Sequence, residues 1–200
     1  AHDDVASGSP PAAMYGTVYK DHLVLARTAA NPERIWFSNG GDATGWDTAA
    51  DGQWLDASFP VTGIATLRNM ILVFGEEGIE RIRGDIIPGV AGSDMVREPL
   101  FATGCADAFS IAVSDEYCVF ANATGIYMTD GIALVDLTQQ GGIRGYWRST
   151  CWPFSSSFNF AGGLFEGKYI ITAYSGYTLK RTLVCDIRTR TWYEFTNIPA

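Results

Sequence analysis

Apolar and polar positions alternate along this chain in short stretches, and no helical period is sustained over about eleven residues or more. One phrase recurs four times, a polar turn residue followed by a run of β-formers. It reads Lys20-Asp21-His22-Leu23-Val24-Leu25, Arg68-Asn69-Met70-Ile71-Leu72-Val73, Ser114-Asp115-Glu116-Tyr117-Cys118-Val119 and Phe165-Glu166-Gly167-Lys168-Tyr169-Ile170. A small, apolar lead-in strand precedes each phrase, at residues 14–19, 61–67, 109–113 and 160–164. A second strand follows it, at residues 34–38, 78–82, 125–129 and 182–186. In the middle two repeats the connections, Phe74-Gly75-Glu76-Glu77-Gly78 and Ala121-Asn122-Ala123-Thr124-Gly125, are hairpin turns, because Gly and Asn accept the positive φ a reversing strand needs. A closing strand, often aromatic, is expected at Trp54-Leu55, at residues 132–137 and at Thr191-Trp192-Tyr193-Glu194-Phe195.

The turn residues Asp21, Asn69, Asp115 and Glu166 are spaced 48, 46 and 51 positions apart. Four short antiparallel strands at that period predict an all-β chain whose repeats are β-propeller blades, closing alone or as part of a larger ring. The expected blades lie near residues 14–57, 58–104, 105–150 and 151–200. Residues 1–13, polar and rich in Pro and Gly, read as a linker or a truncated edge. The stretches 86–99 and 138–157 fit no blade and are expected to be loops between blades or inserted into them. Alternation places Leu23, Leu25, Ile71, Val73, Val119 and Ile171 in the sheet stack.

Composition sharpens this picture by exclusion. The hydrophobic fraction of 47% supports a packed core, and 22 glycines suit a fold of tight turns. A net charge of −8 without a basic stripe argues against binding nucleic acid through a basic patch. No apolar run reaches membrane-spanning length. Cys105, Cys118, Cys151 and Cys185 form no Cys-x-x-Cys pair and lie away from His2 and His22 in sequence, so no zinc site is expected and the cysteines read as buried thiols in a reduced compartment.

The series Arg34-Ile35-Trp36-Phe37-Ser38-Asn39, Gly45-Trp46-Asp47, Val61-Thr62-Gly63-Ile64, Ile71-Leu72-Val73-Phe74, Gly78-Ile79-Glu80-Arg81-Ile82, Asn122-Ala123-Thr124-Gly125-Ile126-Tyr127 and Asp130-Gly131 resembles the β-propeller proteins of tailed-bacteriophage virions, found in tail nozzles, hubs and head-to-tail connections. The resemblance spans residues 15–195. It implies a structural role in the virion, in a chain made in the host cytoplasm, with other tail or connector proteins as partners and a homo-oligomeric ring as the assembly. The end of the chain, Val184-Cys185-Asp186-Ile187-Arg188-Thr189-Arg190-Thr191-Trp192, is similar to a kelch-type blade edge.

Chemistry-bearing candidates are sparse. The loop from Asn39 to Gly52 gathers Asp42, Asp47 and Asp51 beside glycines. It could hold calcium, but its spacing is not that of an EF-hand, and side-chain-to-backbone turn bonds explain it as well. A glycoside hydrolase would need a carboxylate pair; Asp94, Glu98, Asp107, Asp115, Glu116 and Asp130 are present without a pattern that selects two. No catalytic residue, cofactor or metal is expected. The segment from Gly141 to Phe154 carries Arg144, Tyr146, Trp147, Arg148 and Trp152, the residue types that dominate binding hot spots. They are the candidate interface, although the same tryptophans would serve equally as caps on a core between blades. The expected function is docking in a phage tail; the alternatives are a carbohydrate- or ligand-binding propeller and, behind it, a hydrolase.

Overall fold

A computed structural model describes residues 8–47, 53–151, 158–175 and 178–195. Within them the chain is all-β: seventeen strands lie in four antiparallel sheets, with a few short helical turns. The chain divides into two compact units, Ala1–Gly104 and Cys105–Ala200, each holding two sheets.

In the first unit β1 (Tyr15–Tyr19), β2 (His22–Ala26), β3 (Arg34–Asn39) and β4 (Asp42–Trp46) pair in chain order, and β5 (Trp54–Asp56) also pairs with β3. The second sheet runs β6 (Gly63–Leu67), β7 (Met70–Phe74), β8 (Ile79–Arg83), β9 (Val96–Phe101), again in chain order. β7 is apolar throughout because it is covered on both faces: Ile71, Leu72, Val73 and Phe74 are all fully buried. β2 has a different register from the expected one. Val24 and Ala26 enter the core while Leu23 and Leu25 are half-buried, since a shift of one residue exchanges the faces of a strand. The core gathers Tyr19, Val24, Ile35, Phe37, Val61, Ile71, Val73 and Ile82.

Two stretches expected as loops are strands. Asp42–Trp46 is β4, and Val96–Phe101 is the outermost strand of the second sheet. Pro99 is tolerated there because an outer strand has one row of N–H groups with nothing to donate to. Charged cross-strand pairs replace apolar ones: Glu98 accepts from Arg81 Nε at 2.9 Å and from Arg83 Nη2 at 2.7 Å, and Arg97 reaches the buried Glu80 carboxylate at 3.0 Å.

The second unit begins with a 3₁₀ turn (Ala108–Ser110), where the lead-in strand was expected. Only Ala112–Val113 of that strand forms, as β10. Then come β11 (Cys118–Asn122), β12 (Gly125–Thr129) and the three-residue β13 (Leu134–Asp136), followed by helical turns α1 (Leu137–Gln140) and α2 (Arg144–Tyr146) and a π-helical turn at Trp147–Cys151. The last sheet has the longest strands: β14 (Phe158–Phe165), β15 (Lys168–Ser175), β16 (Thr178–Asp186) and β17 (Thr191–Phe195), paired in chain order. All four cysteines are buried thiols in this unit.

The repeated phrases are the hairpin tips. Leu67 faces Met70 and Phe165 faces Lys168, leaving Arg68-Asn69 and Glu166-Gly167 as two-residue turns, as Lys20-Asp21 is between β1 and β2. The first turn residue has positive φ in each, 51° at Lys20, 52° at Arg68 and 47° at Glu166, matching the twist that tight hairpins require.

Candidate functional site

The segment from Asp136 to Cys151 is built as a plug. Asp136 sits in extended conformation and its Oδ1 accepts from Gln139 N at 2.8 Å, capping α1. Gly141 must be glycine: a Cβ there would lie 2.2 Å from the Trp192 ring, whose Nε1 donates to Leu137 O at 3.1 Å. Ile143 N donates to Thr138 O at 2.9 Å and Trp147 N to Ile143 O at 2.8 Å, which turns the chain back into the unit.

The five expected interface residues fare differently. Trp147 is 1% exposed; its Nε1 donates to Asn122 O at 2.9 Å and its ring lies 5.7 Å from that of Phe160. It is a core residue and leaves the candidate surface, because a buried indole needs a partner for its one N–H and here finds it in β11. Arg144 pairs with Asp136 and donates from Nη1 to Gln139 Oε1 at 2.9 Å, so it braces the plug; its Nε is buried without a hydrogen-bond partner among the described residues. A hydrogen bond donated to Tyr127 and the Asp136 charge hold its guanidinium further toward the charged form. Tyr146 donates to Glu194 Oε2 at 2.8 Å and accepts from Arg181 Nη1 at 2.6 Å, while Arg181 and Glu194 pair with each other. Burial, reinforced by Glu194, pushes the Tyr146 phenol up to about 12. Arg148 alone of the four described candidates is exposed. Trp152 lies outside the described residues.

Several of the other candidates are engaged in local structure. Asp42 Oδ1 accepts from Thr44 N at 2.9 Å and Thr44 Oγ1 at 2.7 Å, and these bonds hold its carboxyl below the usual range. Asp51 lies outside the described residues, and among those described no group of three or more His, Cys, Asp or Glu is placed to share a metal. Asp94 accepts from the Ile86 and Asp85 amides, both at 2.7 Å, and Glu98 from two arginines; both carboxyls are shifted down, opposite to what a general acid needs. Asp107 caps the 3₁₀ turn through Oδ1 and receives Phe160 N on Oδ2 at 3.0 Å. Asp130 closes its own turn through the Ile132 and Ala133 amides. His22 donates from Nδ1 to Ser38 O at 2.7 Å, and the Ser38 hydroxyl accepts from Leu23 N, so neither is set up as a nucleophile–base pair.

Sequence pattern did not single out a cleft of about 530 Å³ in the first unit, lined by Arg27, Ser58, Phe59, Thr62, Glu76 and Glu77 among others. Arg27 lies at φ 61°, a conformation that leaves no mark in the sequence of a non-glycine residue.

No family model matches the chain, and no curated protein sequence does. Among solved structures it is similar to a crystal structure from Bacteroides fragilis described as a "putative exported protein", at 9% identity and a TM-score of 0.47. The match covers 88% of this chain and 55% of that one, so this chain spans about half the length of that neighbour. Among the described residues no helix is long and apolar enough to cross a membrane.

Proposed function

We propose that the four sheets are blades of a β-propeller and that the protein is a structural component of a tailed-phage virion, docking in the tail or head-to-tail assembly without turning over a substrate. The observation that carries the reading is the repetition: four antiparallel sheets, each built from sequential strands, with two-residue tips in the first, second and fourth. The order of the motifs resembles phage propellers and supplies the role. Chemically, Asp94, Glu98, Asp107 and Asp130 are tied into caps, turns and ion pairs.

The docking surface is narrower than the sequence alone implied. With Trp147 in the core and Arg144 and Tyr146 engaged in the plug, Arg148 is the described member with its side chain turned to solvent. Immunogold electron microscopy on purified particles, with antibody raised against this chain, tests the reading. Label on the tail or its junction with the head is the expected result; unlabelled particles, with the protein recovered only outside them, would overturn it.

A further inference from the structure

The cleft in the first unit is lined by charges of both signs. Its lining includes Arg27, just after β2, and Glu76 and Glu77, at the tip of the β7–β8 hairpin, where Gly75 N donates to Gly78 O at 2.8 Å. Among the described residues none of the three forms an ion pair. The rest of the lining is Ser58, Phe59, Pro60, Thr62 and Gly78.

Arg27 is held ready. Its N–H donates to Arg34 O at 3.0 Å, its carbonyl accepts from Met14 N at 2.8 Å, and its Nη1 donates to Val61 O at 2.7 Å. That engages one of its five side-chain donors and leaves the rest of the planar fork for a carboxylate. The backbone is left-handed at φ 61°, as it is at Lys20, Arg68, Glu166 and Arg190. The hairpin tip that carries the glutamates is held too: the Phe59 ring lies so close to Gly75 that a Cβ there would come within 2.3 Å of it.

The geometry points to a binding site for a C-terminal arginine or lysine of a peptide, or an amino-acid derivative of the same form. Its carboxylate meets Arg27, its methylene stem lies along Phe59 and Pro60, and its cationic end meets Glu76 and Glu77. This site goes beyond the docking role and does not depend on the virion assignment.

Isothermal titration of the full chain tests it with three probes of similar size: Nα-acetylarginine, N-acetylagmatine without the carboxylate, and Nα-acetylcitrulline without the cation. Saturable binding of acetylarginine is expected, with the other two at least about tenfold weaker. Arg27→Asn, which keeps a residue at home in the left-handed region, should reduce acetylarginine to the level of acetylagmatine while leaving acetylagmatine unchanged. Glu76→Gln with Glu77→Gln should do the same relative to acetylcitrulline. The glutamate pair lies on an exposed turn, so this arm stands even where the Arg27 variant folds poorly. No saturable binding, equal affinity for the three probes, or indifference to the glutamate substitutions would overturn the assignment.

Discussion

In residues 8–104 the two sheets are tied directly through their first strands. β1 lies beside β6, the Thr17 and Thr66 hydroxyls are 3.0 Å apart, and Thr66 Oγ1 also donates to Val18 O at 2.7 Å. The Tyr19 hydroxyl lies at the tip, near Asn69 O at 3.1 Å and Gly84 O at 2.9 Å. In residues 105–195 the corresponding joint is made by other means. β10 is two residues long, and the 3₁₀ turn before it supplies the contacts: Asp107 Oδ2 takes Phe160 N, and Ser110 O takes the fully buried Tyr169 hydroxyl at 2.6 Å. The plug joins the same core, with Trp147 against Phe160 and bonded to Asn122 O, in one cluster with Val119, Ile126 and Leu183. A sheet that gives up strand length must find another cover for its face, and a helical insertion with a large aromatic residue provides one. Leu137, Trp147 and Cys151 of the insertion therefore belong to the core, while Arg148 stays on its surface.

The strongest test of that contrast is Trp147→Ala. It should cost about 3–5 kcal/mol, the usual range for truncating a buried Trp, because it empties the plug and removes the indole N–H from Asn122 O. Hydrogen exchange should rise in β11 and β12 and stay unchanged in residues 8–104. Unaltered protection of β11 would refute the plug as the cover of that sheet.

Next in size is Tyr169→Phe, expected to cost about 1–3 kcal/mol because the buried Ser110 carbonyl loses its donor. Tyr19→Phe should cost less, since its partners are only partly buried and water can replace the phenol. Urea melts of the two variants should rank in that order; the reverse ranking would show that the first joint depends more on its tyrosine than the second.

The two units should also respond to opposite ends of the pH scale. Asp42, Asp94 and Glu98 in the first unit are held below their ordinary values, by bonds from Thr44, from the Ile86 and Asp85 amides, and from Arg81 and Arg83. Asp186 is the carboxylate so held in the second, chiefly by the Thr189 amide. A depressed carboxyl adds stability above its unfolded value, and that stability disappears as the pH falls below about 4. The thiols run the other way: burial pushes Cys105 and Cys151 up to about 11 and Cys185 up to about 12, and raises Cys118 as well. Their unfolded counterparts ionise from about pH 8.5, so stability is complete below that and declines as the pH climbs toward the folded values. Hydrogen exchange resolved by peptide should show residues 8–104 loosening first in acid and residues 105–195 first in alkali. Alkylation at pH 8 should label none of the four thiols in the native chain; rapid labelling there would contradict their burial.

The smallest effect belongs to the residue left on the surface. Arg148→Ala should change stability by about 0.5 kcal/mol or less while weakening incorporation into particles. A large loss of stability would place Arg148 in the plug with Arg144.

The central hairpins were legible because their information is local: alternation, tight turns and the spacing of Asp21, Asn69 and Glu166 all lie within a few residues of the strands they define. β9 was hidden because Arg97, Glu98 and Pro99 look like loop residues until the outer position and the partners Glu80 and Arg81 are known. β4 was hidden because Asp42, Thr44 and Gly45 have turn chemistry, which they also use. Trp147 was ambiguous for a deeper reason. Hot spots and cores draw on the same side chains, and what decides between them is Asn122 O, 25 residues away. The cleft had no local signature, since Arg27, Phe59 and Glu76 come from separate stretches and line one cleft only in the folded unit.

The order in which the strands pair has a consequence for how the protein is made. Apart from β5 returning to β3, every strand bonds the strand just before or after it in the chain. Closing each pair spans a short loop, so little entropy is lost before the first contacts form, and the usual slowness of all-β folding is eased. A ribosome releasing the chain from its N-terminus frees the partners of each hairpin within a few residues of one another. Each sheet can close while the next is still being synthesised, and the interval in which an unpaired strand could capture a neighbouring copy is kept brief.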